Sequence, residues 1–310
     1  MRNYHTPVLL NEVLEYINLK PNGVYIDCTV GGGGHSEAII SKEPSIRLYC
    51  FDQDKEAILY SKNRLSQYPN ISFYNENFNN FRNRLALEKI SKVDGILMDL
   101  GVSNHQIADT KRGFSFMYDD KLDMRMNKEN KLTAFDIINK YSLDELQDIF
   151  HNFGEERYSK KIARNIIEQR KIKEINTTLE LAKIINESIP EKDPKNITKS
   201  QARIFQSIRI VVNNELNVLS YTLKEAISAL KLFGRLLVIS WHSLEDRIVK
   251  EYFKESASSC ICPKEIPECR CEHIKKINIL TKKPITPSIA EIKINSNSRS
   301  AKLRIIEKIS

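Results

Sequence analysis

The chain has 310 residues, 41% of them hydrophobic and 28% charged, which suits a folded protein of two domains or one domain with a large insertion. Its formal charge of +8 favours a polyanionic partner, and the excess is concentrated in Cys260 to Ser310, with 11 Lys and Arg against 5 Asp and Glu. No run approaches the roughly 18 apolar residues of a membrane span, and the start of the chain lacks the basic-then-apolar layout of a signal peptide, so a cytoplasmic protein with no membrane partner and reduced thiols is expected.

The first informative element is Val24 to Ser36, an apolar, β-branched run that breaks into four consecutive glycines, Gly31 to Gly34. This predicts a strand feeding a ligand-binding turn, where glycine permits positive φ and close approach to the backbone. A second apolar run, Ile46 to Phe51, ends in Asp52, about 20 residues beyond the glycines, where an acid can accept hydrogen bonds from ribose hydroxyls. Asp52 as a helix N-cap is the plainer alternative. Glu56 to Ser66 then reads as an amphipathic helix, and Ile71 to Tyr74 as a short strand ending near Asn77 and Phe78. Phe78 suits either stacking on an adenine or a place in the core. Val93 to Asp99 is a buried strand that delivers Asp99 to its carboxyl end. Ligands of open α/β sheets bind outside such ends, so His35, Asp52, Phe78 and Asp99 are expected to share one site.

From about Thr133 to Leu230 the apolar spacing becomes helical, which predicts an inserted helical domain. Between it and the Asp99 strand end, Arg112 to Met126 mixes aromatics, methionines and arginines without a period. The segment reads either as a lid over a splayed base or as an adaptable hydrophobic linker. Lys199, Gln201, Arg203, Gln206 and Arg209 could line an RNA-facing helix, with a solvated face as the default. Strand character returns at Arg235 to Trp241. His242 follows it, either a general base or a residue satisfied by local hydrogen bonds, the second being the commoner case. Cys260, Cys262, Cys269, Cys271 and His273 form a cluster that could hold zinc. Cys-x-Cys is tighter than the usual ligand spacing, so a basic loop of reduced thiols is favoured and no metal is assigned. A last strand is expected over Ala301 to Lys308, where Leu303, Ile305 and Glu307 alternate with Lys302, Arg304 and Ile306, compatible with a hairpin that completes the sheet.

Ser36 stands where a dinucleotide fingerprint has its third glycine, which disfavours an NAD-dependent dehydrogenase. Asp27, four residues before the glycines, is instead the arrangement of class I methyltransferases. The motifs go further: Gly33-Gly34-His35-Ser36, Asp99-Leu100-Gly101-Val102-Ser103, Arg112-Gly113-Phe114-Ser115-Phe116-Met117, His242-Ser243-Leu244-Glu245-Asp246-Arg247 and Arg299-Ser300-Ala301-Lys302-Leu303-Arg304. With these blocks the chain closely resembles, nearly end to end, the bacterial 16S ribosomal RNA cytosine-N4 methyltransferases of the RsmH or MraW type.

The resemblance implies an α/β fold, a Rossmann-like class I methyltransferase sheet interrupted by a helical substrate-recognition insertion. Residues 1–108 and 216–310 would bind S-adenosyl-L-methionine, and residues 109–215 would recognise RNA. It implies N4-methylation of a cytosine in the decoding region of 16S rRNA, in the small ribosomal subunit, with no obligate protein partner. By matching positions, the cofactor contacts would be Gly33, Gly34, His35, Asp52, Phe78, Asp99 and Gln106, with Asp99 also the candidate catalytic residue. No cysteine stands on the Asp99 loop, so covalent attack on the cytosine ring is not expected. Asn104, Phe233 and Asn297 depart from the family pattern, Phe233 standing where a glycine is common. Methylation of another RNA or protein nitrogen, or a non-catalytic ribosome-assembly role, are the competing functions.

Overall fold

The computed structural model describes residues 7–109, 111–190, 193–263, 268 and 270–310. The chain opens with α1 (Leu10–Tyr16), β1 (Val24–Asp27), α2 (Gly34–Lys42), β2 (Arg47–Asp52), α3 (Lys55–Arg64), β3 (Ile71–Asn75), α4 (Phe81–Leu87) and β4 (Val93–Asp99). It continues through α5 (Asn104–Ala108), α6 (Ala134–Lys140), α7 (Leu143–Asn152), α8 (Ser159–Ile172), α9 (Thr178–Ser188) and α10 (Pro194–Asn213). It ends with α11 (Glu215–Ala229), β5 (Leu230–Ser240), α12 (Ser243–Ser256), β6 (Ile277–Ile279), α13 (Ile289–Ile294) and β7 (Lys302–Lys308). Two compact units result: Met1–Gly101 with Leu216–Ser310, and Val102–Glu215.

The first unit is a sheet of seven strands in the order β3-β2-β1-β4-β5-β7-β6. β1 to β5 run parallel, and β7 is antiparallel to both its neighbours. Alternate residues of each strand face opposite cores. Ile26, Phe51, Ile96, Met98 and Val238 pack under α4, α11 and α12 through Leu85, Leu223 and Phe253. Tyr25, Leu48, Cys50, Leu97 and Ile239 face α1 and α2 through Val13, Ile17, Ile39 and Ile40. Covering both faces explains why the parallel strands read as continuous apolar runs.

The strands lie close to their sequence expectations, with instructive exceptions. β5 starts at Leu230 rather than Arg235, and its register against β4 jumps between the Val93 and Gly95 pairs. Phe233 sits in that irregularity with φ of 61°, 55% exposed. In β7 the face carrying Lys302, Arg304 and Ile306 is covered by α12, which buries Arg304 and Ile306 and leaves Lys302 partly exposed. Arg304 is buried and donates from Nε to Asp246 Oδ1 on α12 at 2.7 Å, while Lys302 Nζ donates to Oδ2 at 3.1 Å. Burial pushes the Asp246 carboxyl up, but these two cations pull it below the usual carboxylate range.

The second unit is helical, as the spacing predicts. Thr133, Ser142 and Thr177 close capping boxes at the starts of α6, α7 and α9. Each such cap is worth about 1 kcal/mol. Ile138, Leu146, Phe150, Ile162, Ile166, Leu181, Ile185, Ile204 and Ile208 form its core. Both ends of the Arg112 to Met126 segment are built into this unit. The Arg112 side chain is buried and donates to the carbonyls of Arg125 and Met126, and Leu122, Met124 and Met126 are buried. Between them Phe116 packs edge-on against Phe205, while Met117 and Tyr118 are exposed. Among the described residues no helix is long and apolar enough to cross a membrane.

Candidate functional site

The glycine turn joins β1 to α2. Gly31 and Gly33 take φ of 49° and 77°, a region that L side chains rarely adopt. Gly33 is the N-cap of α2, and its amide donates to the Val30 carbonyl at 2.7 Å. A Cβ on Gly34 would come within 3.0 Å of Pro7, whereas one on Gly31 would meet only the Thr29 carbonyl at 3.9 Å. Gly33 and Gly34 are therefore held by conformation and packing, while Gly31 leaves an open approach to the backbone.

Three carboxylates stand at the ends of adjacent strands β2, β1 and β4. Asp27 is buried and accepts from Ser36 Oγ at 2.6 Å and from the Thr29 amide at 3.1 Å. Ser36, which breaks the dinucleotide pattern, thus serves as a donor to Asp27. Asp52 accepts from the Gly31 amide at 2.9 Å and the Asp54 amide at 2.9 Å, tying the second strand end to the turn. The helix N-cap at this point is Asp54, which accepts from the Glu56 amide, so the capping alternative belongs to Asp54 and not to Asp52. Asp99 accepts from Trp241 Nε1 at 3.2 Å, and its Oδ2 lies 3.6 Å from Nδ1 of His35. His35 is itself buried, with Nε2 3.0 Å from the Val8 carbonyl oxygen.

Burial dominates the electrostatics of all three acids. It pushes Asp27 up to about 6, against the Ser36 and Thr29 hydrogen bonds. It pushes Asp52 up to about 7, opposed by the Asp54 and Gly31 amides and reinforced by the charges of Asp54 and Asp27. It pushes Asp99 up to about 8, opposed by Trp241 and reinforced by Asp27 and Glu245. Among the described residues no lysine or arginine forms an ion pair with any of them. Hydrogen-bond acceptors gathered in this way suit a ligand that brings its own positive charge and its own hydroxyl donors. A sulfonium nucleoside with an ammonium group has both.

The other predicted residues fall as follows. Phe78 begins a short 3₁₀ turn (Phe78–Asn80) just beyond β3 and packs, partly buried, against the core. Gln106, in the second unit, is buried and closes a capping box with Ser103, its Oε1 accepting from the Ser103 amide at 2.9 Å. His242 is the N-cap of α12: its Nδ1 accepts from the Glu245 amide at 3.4 Å, and its Nε2 lies 3.2 Å from Glu245 Oε1. The plainer reading of a locally satisfied histidine holds for Nδ1, which caps the helix, but the buried Nε2 makes no hydrogen bond among the described residues. On α10, Arg209 is paired with Glu215 at 2.9 Å, and Gln201 is buried against Asn186, so neither lines a free helix face. Lys199 and Arg203 are exposed. Thr29 and Trp241 were not singled out by sequence reasoning, although both grip Asp99. Thr29 Oγ1 accepts from the Asp99 amide at 2.7 Å. Trp241 reaches Asp99 across 142 residues, a contact that no local pattern encodes.

The strand order, the single antiparallel β7 next to β5 and the acid-lined glycine turn together define a Rossmann-like methyltransferase. The family follows from comparison: a model described as the MraW methylase family matches residues 2–309. Three relatives carry the name ribosomal RNA small subunit methyltransferase H. The protein of Clostridioides difficile is 47% identical over 311 residues, covering all of both chains. That of Finegoldia magna is 46% identical, with 98% of each chain covered. That of Caldicellulosiruptor saccharolyticus is 50% identical over 306 residues, covering 98% of this chain and 99% of its own. The chain belongs to the MraW methylase family.

Proposed function

We propose that this chain transfers a methyl group from S-adenosyl-L-methionine to N4 of a cytosine in the decoding region of 16S rRNA. The observation that supports it most is the set of three carboxylates, Asp27, Asp52 and Asp99, around a positive-φ glycine turn, in a chain that matches the family over nearly its whole length. Bound there, the cofactor supplies an electrophilic sulfonium methyl. Asp52 receives the ribose hydroxyls, Gly33 and Gly34 shape the turn whose backbone Gly31 leaves open, and His35 and Phe78 complete the contacts of this unit. The helical unit recognises the RNA.

Cytosine N4 is a weak nucleophile because its lone pair is delocalised into the ring. The enzyme therefore gains rate by positioning and by acceptors that meet the amino protons as positive charge grows on N4. Asp99 is the catalytic candidate for that role. Trp241, Thr29 and His35 fix its position.

Asp99→Asn keeps the size of the side chain and removes its charge. It should weaken cofactor binding about tenfold, the loss of one charge-assisted hydrogen bond, and slow methyl transfer by about 10²-fold or more. Equilibrium binding of the cofactor and single-turnover transfer to small subunits measure the two effects separately. Unchanged affinity and unchanged rate would remove Asp99 from the site.

A further inference from the structure

The loop between α12 and β6 gathers Cys260, Cys262 and Cys271, with one sulfur from each lying within 4.8 Å of the other two. The sulfurs of Cys260 and Cys271 stand 3.8 Å apart. That is far beyond the roughly 2.05 Å of a disulfide. It matches the edge of about 3.8 Å expected between two thiolates on a tetrahedral zinc with Zn–S bonds of about 2.3 Å.

Backbone amides point at each sulfur. Ile261 N–H donates to Cys271 Sγ, Cys262 N–H to Cys260 Sγ and Arg270 N–H to Cys262 Sγ, each at 3.4 Å. Such donors stabilise thiolate charge and orient the sulfurs, the role that outer hydrogen bonds play around metal ligands. The Cys-x-Cys spacing alone favours plain thiols. The fold changes that weighing by bringing a third cysteine back onto the pair.

We propose that Cys260, Cys262 and Cys271 hold a structural Zn²⁺ ion. Each thiol loses its proton to solvent as its Zn–S bond forms, so the three thiolates and the ion carry a net charge of −1 in a loop that also contains Arg270, Lys275 and Lys276. Thiolate ligands select zinc for a role that needs no redox change. His273, which the sequence pattern adds to the cluster, has its Nε2 3.0 Å from the Glu255 carbonyl oxygen and is not among the converging donors. Cys269 lies outside the described residues. The ion would brace the loop where it leaves α12, next to the Lys276 amide bonded to the Ser256 carbonyl, and so fix the approach to edge strand β6.

The test is the metal content of the full chain, purified under reducing conditions with zinc supplied, by plasma mass spectrometry. About one zinc per chain is expected, falling below about a tenth in Cys260→Ser and in Cys271→Ser. Cofactor binding in those variants should persist, because neither residue touches the glycine turn. Cobalt titration of the unaltered protein reads the same site without relying on a variant that folds, through near-ultraviolet thiolate-to-cobalt charge transfer. Wild-type protein without zinc and without that band would overturn the proposal, as would zinc retained in both variants.

Discussion

In the proposed site, the three strand-end acids make ligand binding a protonation problem. Their raised folded-state values mean that the free chain binds more protons than the unfolded chain between the ordinary aspartate range and about 6 to 8. Their contribution to stability is therefore present at low pH and is lost as pH rises through those values. A cationic cofactor favours the ionised forms and reverses the preference. Its affinity should climb as pH rises from about 6 to 8, by up to tenfold per pH unit for each coupled proton, and binding should release protons. Calorimetry in two buffers of different ionisation enthalpy would detect the release; flat affinity across that range would contradict the coupling. At this scale Asp52 was legible because strand, turn and acid follow one another at fixed spacing. Asp27 was legible for the same reason. The partners that hold Asp99 were not: Trp241 arrives from β5, and the donor role of Ser36 depends on its meeting Asp27 in space.

Among the elements, the parallel strands and the helices of the insertion follow from periodicity, since buried runs and 3.6-residue spacing are local properties. The misreadings occur where neighbours decide. The alternation in β7 does not reveal that Arg304 is buried, which depends on Asp246 of α12 pairing with it. The early start of β5 was hidden because the Leu230-Lys231-Leu232 alternation is too short before Phe233-Gly234 to stand apart from the helical spacing that precedes it, and the chain bulges there before pairing regularly. Phe233 carries the strain of that bulge, an exposed non-glycine residue at φ of 61°. Phe233→Gly should relieve it. The left-handed penalty of about 1–2 kcal/mol outweighs the added unfolded-state freedom, for a net gain of about 0.5–1 kcal/mol. Urea unfolding would show this as a higher midpoint at unchanged slope. A lower midpoint would mean that the ring contributes more than the backbone conformation costs.

For the whole molecule, one sheet is assembled from two separated stretches of sequence, with a helical unit of its own core between them. That plan was visible as a change of hydrophobic period near Thr133 and its reversal at β5. The convergence of Cys260, Cys262 and Cys271 was not, because spacing along the chain says little about how a loop folds back. The net charge of +8 suits a polyanionic substrate, and the chain belongs to a methylase family. The central claim is the reaction itself. It is tested most directly by incubating the purified chain with methyl-labelled S-adenosyl-L-methionine and small ribosomal subunits from cells lacking the modification, then analysing the RNA nucleosides by mass spectrometry. Label in N4-methylcytidine is the predicted result, whereas label in any other nucleoside, or none in the RNA while cofactor binding is intact, would contradict the account.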